Sequence, residues 1–216
     1  MRQFFVLPAS ISLALALPLT PVAAQVGAAS STSPGDPAAR PFIEKMVGDG
    51  FGILRDKSLA RPAARAKFRA ILQQNVALDD IGMRLIRRQR AAGAVNAAQL
   101  AAYRTAFPEF VLNAYADRLY DYADARVQVQ RTVGRGAFTE VYTRVTRPGG
   151  QPIDTIWQVK SGDGGKLLVN NLVVSGINLS LTQEADFASY VQKNGFDALV
   201  SFMTSANAKS LAVNTK

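Results

Sequence analysis

Cysteine and histidine are both absent from the 216 residues, and together these absences exclude a large share of protein chemistry. Without His there is no Ser-His-Asp or Cys-His nucleophile system, because each needs an imidazole base beside the attacking atom. Zinc and copper lose their two best ligands at once. Carboxylate, Lys, Tyr and Ser-Lys chemistry stay open, yet nothing spaces those groups into a signature. No catalytic residue, metal or cofactor is therefore expected, and the composition leans toward binding. Disulfide staples are excluded too, as is the cysteine-linked lipid that tethers bacterial lipoproteins.

What is present begins with an export signal. Arg2 precedes an apolar run, Phe4–Leu19, broken only by Ser10 and Ser12; Pro18, Thr20 and Pro21 interrupt its end, and Val22-Ala23-Ala24 places small residues before Gln25. A basic start, an apolar middle and a small-residue cleavage site make a secretory signal peptide. The run is short of the roughly 20 residues that span a bilayer. Cleavage after Ala24 would leave 192 of the 216 residues, enough for one ordinary domain with its own core. The formal charge of +9 falls to about +8 without Arg2. Export removes nucleic acid as a partner. Anionic membrane surfaces, acidic ligands or acidic proteins remain, with peripheral, transient membrane contact only. The plain alternative is that the charge solvates helix faces.

Residues 25–39, QVGAASSTSPGDPAA, are small and lack apolar periodicity, so a disordered leader is expected there. From Pro41 the period is helical through Phe42, Met46, Val47 and Phe51. Ser58 is placed to cap a second helix through Phe68, Ile71 and Leu72 to about Asn75. Arg61, Arg65 and Arg69 share one face of it, expected to be solvated. Asp79 or Asp80 would cap the next segment, which ends in Arg84, Arg87, Arg88 and Arg90. Asn96 opens a long stripe from Leu100 to Tyr122, with Pro108 expected to break or kink it.

From Ala125 the period changes to two. Gly134-Arg135-Gly136, Pro148-Gly149-Gly150 and Ser161–Gly165 read as turns between four strands, of which the last three are Phe138–Thr146, Ile153–Lys160 and Leu167–Val174. Helical patterns at Thr182–Lys193 and Phe196–Asn207 close the chain. The expected fold class is α+β: N-terminal helices, a four-stranded antiparallel meander and C-terminal helices. The domain would span 40–208, with 209–216 a flexible tail.

Gly165-Lys166 resembles the end of a phosphate-binding loop, but Lys160 stands where the first Gly is needed, Leu167 replaces Ser/Thr, and a strand follows instead of a helix. It is a hairpin turn. Val141, Thr143 and Val145 share one strand face, as do Thr155, Trp157 and Val159 on the next. Such a face under Phe/Met-rich helices is either solid core or one wall of an apolar cavity; periodicity does not separate the two.

Val141-Tyr142-Thr143-Arg144-Val145, Ile156-Trp157-Gln158-Val159, Leu167–Leu179 and the stretch Phe187–Leu199 agree in order and spacing with one family. Over about Phe42–Ala208 the chain resembles the periplasmic phospholipid-binding carriers of the Mla pathway, the toluene-tolerance auxiliary family. The family commonly has Trp-Lys-x-Tyr-Asp entering the last strand and Glu before the glycine. Here Leu167–Asn171 and Ser175 stand there, which resembles a divergent branch such as the one associated with hopanoid gene clusters. The resemblance implies a soluble periplasmic carrier that does no chemistry. It would hold the acyl chains of a phospholipid or related lipid in an apolar cavity between sheet and helices. Its lipid-binding residues would be Met46, Phe51, Phe110, Tyr115, Val141, Val145, Trp157, Val159, Leu172 and Val174, with Met83 a further adaptable wall residue. Its partners would be an inner-membrane ABC lipid transporter complex and an outer-membrane lipoprotein complex. Two rivals stand beside it. One is an exported adaptor binding a partner through its basic face. The other is an isomerase-like enzyme on a cone-shaped sheet, which would need a buried carboxylate beside Tyr, such as Glu140 near Tyr142.

Overall fold

Helical periodicity in the first half of the chain resolves into five helices: α1 (Ala39–Arg55), α2 (Arg61–Asn75), α3 (Leu78–Leu85), α4 (Arg87–Ala91) and α5 (Ala97–Leu119). They are seen in a computed structural model that describes residues 35–119 and 122–214. The sheet follows, β1 (Arg126–Arg135), β2 (Phe138–Thr146), β3 (Ile153–Ser161), β4 (Leu167–Val174) and β5 (Ile177–Asn178), and α6 (Leu179–Asn194) and α7 (Phe196–Asn214) close the chain. The signal peptide expected over residues 1–24, and most of the leader, lie outside the described residues. The end of the leader departs from expectation: the Asp36 N–H donates to Thr139 Oγ1 at 2.8 Å, and Ala39 is fully buried as the first residue of α1. The tail departs as well, since α7 continues through 209–214.

The helix starts show which local signals were obeyed. Asn96 and Gln99 satisfy each other reciprocally, Asn96 N–H to Gln99 Oε1 at 3.0 Å and Gln99 N–H to Asn96 Oδ1 at 2.9 Å. That is a capping box, and it sets the start of α5 where Asn96 was expected to open it. Ser58 does not cap α2; it turns back onto Asp56, and α2 opens from Ala60 with Pro62 in its first turn, where a missing N–H does no harm. Asp79 and Asp80 lie inside the first turn of α3 rather than at its cap. Pro108 does not break α5. It removes one backbone hydrogen bond, while Phe107 and Phe110 on either side are buried. Of the face of Arg61, Arg65 and Arg69, expected to be solvated, Arg61 is exposed while Arg65 is buried and Arg69 half-buried. Arg65 is only 9% exposed and donates to Ser210 Oγ on α7 at 2.9 Å, and Arg69 reaches Glu109 on α5 at 2.6 Å. From Arg65 onward the face reaches neighbouring helices.

The sheet is antiparallel in the order β1-β2-β3-β4-β5, five strands rather than four. β5 is two residues long, too short to show a period. It pairs with β4 through Val174↔Ile177, across a two-residue loop in which Ser175 (φ 49) and Gly176 (φ 81) both take the left-handed conformation. A type I′ hairpin has that requirement. One bulge interrupts β1 between Val129 and Arg131, and another offsets β4 opposite Gln158 and Val159.

Among the described residues there are three separate apolar cores. The largest joins α3, α5, α6 and α7 around Ile86, Tyr103, Phe107, Phe187, Leu199 and Met203. At its tightest point Gly82 lies against the Phe107 ring: a Cβ there would stand 2.8 Å from the ring, so α3 can approach α5 only without one. A second core sets Ala39, Ile43 and Met46 of α1 on Val141, Val159 and Val169 of the sheet. The third is small, Phe68 and Leu112 with Ile53, Leu54 and Leu72 beside them.

Candidate functional site

Strand register decides which side chains meet. Val141 stands opposite Trp157, and Trp157 opposite Leu172, so one row of large apolar groups crosses β2, β3 and β4. Directly opposed residues share a face, and two-residue alternation adds Val145, Val159 and Val174 to it. These six expected residues therefore lie on the inner face, the one that meets the helices. Met46 joins them from α1. The indole N–H of Trp157 donates to Thr143 Oγ1 at 3.0 Å. Its polar end is thus satisfied on the face itself, and its orientation is set.

Burial along this face is uneven. Val141 and Val159 are sealed, at 0% and 1% exposed. Val145, Leu172 and Val174 are half-buried and stand outside all three cores described above. The inner face is thus packed at the α1 end and incompletely covered at the other.

Four expected residues lie elsewhere. Phe110 belongs to the helical core and meets Phe202 edge-on at 5.8 Å, because the α5 stripe faces α7 rather than the sheet. Tyr115 is 38% exposed on α5. Met83 lines a crevice of about 50 Å³ between α3 and α5. Phe51 lines a larger cleft of about 310 Å³ between α1 and β1, with Ile43, Val47, Val127 and Val129 as its other apolar walls. Sequence reasoning missed this cleft. Its two stripes were visible, Val47 and Phe51 on a helix and Val127 and Val129 on a strand, but not that they face each other.

The carboxylate–tyrosine pair does form. Tyr142 Oη donates to Glu140 Oε2 at 2.7 Å, Gln158 Nε2 donates to Glu140 Oε1 at 3.1 Å, and Arg135 lies 3.5 Å away. It sits on the opposite, outward face of the sheet, with the Arg131 guanidinium 3.7 Å above the Tyr142 ring. Among the described residues, no group of three or more acidic side chains is arranged to hold a metal ion. None of the described helices is long and apolar enough to cross a membrane.

A sequence model of one family, MlaC protein, matches residues 44–205. The chain belongs to the MlaC family. Among solved structures it is similar to a phospholipid-binding protein from Ralstonia solanacearum, determined in complex with a phospholipid. The TM-score is 0.66 at 19% identity, over 80% of this chain and 98% of that one. At that identity the likeness is one of fold. No curated protein matched. The MlaC match covers all five strands, α2 to α6 and most of α1 and α7, so all of the site described above except Ile43 lies within it.

Proposed function

We propose that this MlaC-family protein is a carrier that holds phospholipid acyl chains against the inner face of its sheet. Family membership and the phospholipid-binding neighbour support a lipid-binding role. The observation that carries the reading is the row Val141–Trp157–Leu172, extended by half-buried Val145 and Val174 that no core covers. Apolar groups left uncovered beside helices are where a chain of methylenes gains from leaving water. At about 0.8 kcal/mol per CH₂, a dozen buried groups recover on the order of 10 kcal/mol. Separated cores allow helices and sheet to stand apart around such a guest. The carrier works in the periplasm after cleavage behind Ala24, and passes lipid between an outer-membrane lipoprotein complex and an inner-membrane ABC transporter.

Val145→Trp tests this directly. With a lipid chain against Val145, the indole takes the chain's volume: the variant stays folded with an unchanged melting temperature, and mass spectrometry of organic extracts finds the co-purified lipid gone. In a solid core the same change overpacks and costs about 1–3 kcal/mol. A destabilised variant of a protein that never carried lipid overturns the reading.

A further inference from the structure

Helix α1 is tied to β1, the edge strand of the sheet, near both of its ends and stands off it in between. Arg40 Nη2 donates to the Val129 carbonyl at 2.7 Å. Arg55, in the last turn of α1, donates to the Ala123 carbonyl at 2.9 Å and to the Ala125 carbonyl at 2.7 Å, just before β1 begins. Helix and strand therefore run antiparallel, and the cleft of about 310 Å³ lies between the two ties. Its charged lining residues, Glu44, Arg55 and Arg126, are all exposed, whereas Val47, Phe51, Val127 and Val129 are half-buried. Charge stays at the rim and the interior is apolar. Val127 and Val129 stand opposite Val145 and Thr143, so the floor of the cleft is the inner face of the sheet, continued onto its last strand. Gly48 lines the cleft midway between the ties, and a Cβ there would meet nothing within 4 Å. A glycine inside a helix is less stable than almost any other residue, and no close approach by a described neighbour requires one at this position. Its effect is to leave space.

We infer that this cleft is a second acyl-chain slot, kept open by Gly48, and that the carrier holds a two-chain lipid with its chains parted. One chain lies against Val145, Leu172 and Val174; the other lies between α1 and β1, and they diverge where Val127 stands opposite Val145. The inference rests on the carrier reading and adds to it a second slot and the residue that makes room for it. The volume is at the lower end of the range for small-molecule pockets, which suits a single hydrocarbon chain. A chain entering the slot covers four apolar side chains that the protein leaves only half-buried, and each methylene it places there gains from leaving water.

The test compares lipids with two chains and one. Purified, lipid-free protein is incubated with vesicles of equal parts dioleoyl phosphatidylcholine and single-chain oleoyl lysophosphatidylcholine. It is then recovered, and its lipid is counted by mass spectrometry. The cost of leaving these vesicles is the same for every variant, so changes in the ratio of two-chain to one-chain lipid report on the slots alone. Gly48→Leu is expected to fold at least as well as wild type, because the space is open and leucine is the better helix former. It should lower the ratio about tenfold, since excluding as few as two methylenes already accounts for that factor, and leave lysolipid uptake unchanged. Val127→Trp fills the slot from the strand side and should do the same, with the lipid-free melting temperature of both variants measured alongside. An unchanged ratio in either variant that keeps its melting temperature overturns the second slot and leaves the carrier standing. So does lysolipid uptake that falls in step with dioleoyl uptake, because the cleft would then hold no separate chain. Wild type that takes up neither lipid overturns both readings.

Discussion

Tyr103 shows how one residue sets a condition for the whole helical core. It is 1% exposed, donates to the Gly82 carbonyl at 2.9 Å, and stacks on Phe107 with centroids 5.4 Å apart. Burial pushes its phenol well above the ordinary value of 10.0. The folded state keeps the proton in a range where the unfolded chain releases it. The stability this contributes is fully present below about pH 10 and is lost above it, by about 1.4 kcal/mol per pH unit. Denaturant unfolding measured from pH 8 to 11.5 should show that decline. Tyr103→Phe should flatten it, and an equally steep slope in the variant would assign the loss to other groups.

Among elements, α6 has its start set by one side-chain amide. Asn178 Oδ1 accepts from the Leu181 N–H at 3.2 Å and from Asn171 Nδ2 at 3.1 Å. One oxygen therefore caps α6 and ties it to β4. Asn178→Ala should lower stability by about 1–2 kcal/mol, the upper range for a lost N-cap. Asn178→Asp keeps both acceptor roles and should be close to neutral by thermal unfolding; equal losses in the two variants would mean the cap contributes nothing. α4 is held from the same side. Arg87 and Arg88 reach Glu184 of α6 at 2.8 and 3.1 Å, and Glu184 is 3% exposed. Two arginines expected to favour the end of their own helix thus neutralise a buried carboxylate on another.

At the scale of the molecule, the carrier reading makes lipid part of the folded state. A ligand bound only by the native protein adds RT ln(1 + [L]/Kd) to its stability, about 2.7 kcal/mol at a hundredfold excess over Kd. Stripping lipid from the purified protein with organic solvent or detergent exchange should therefore lower the melting temperature by several degrees, and phospholipid added back should restore it. A melting temperature indifferent to both treatments would mean that the inner face closes on itself. Lipid should protect Val145 and Leu172 from solvent together in hydrogen exchange.

What the sequence determined by itself was everything carried by local period and composition. The absence of His and Cys narrowed the chemistry before any coordinate was known. Two-residue alternation put Val141 and Val145, and Trp157 and Val159, on common faces, and Asn96 marked the start of α5, because strand pleat and helix capping are set within a few residues. Tertiary structure alone decided what those faces meet. Register brought Leu172 opposite Trp157; helix packing took Phe110 and Met83 away from the sheet and buried Arg65 against α7. It also opened the cleft between Val47 and Val127, residues eighty positions apart in sequence. A face that is solid core and a face that borders a cavity have the same sequence pattern, since both bury apolar atoms. Only the distance at which the opposing helix comes to rest tells them apart, and that is set by packing across the whole fold.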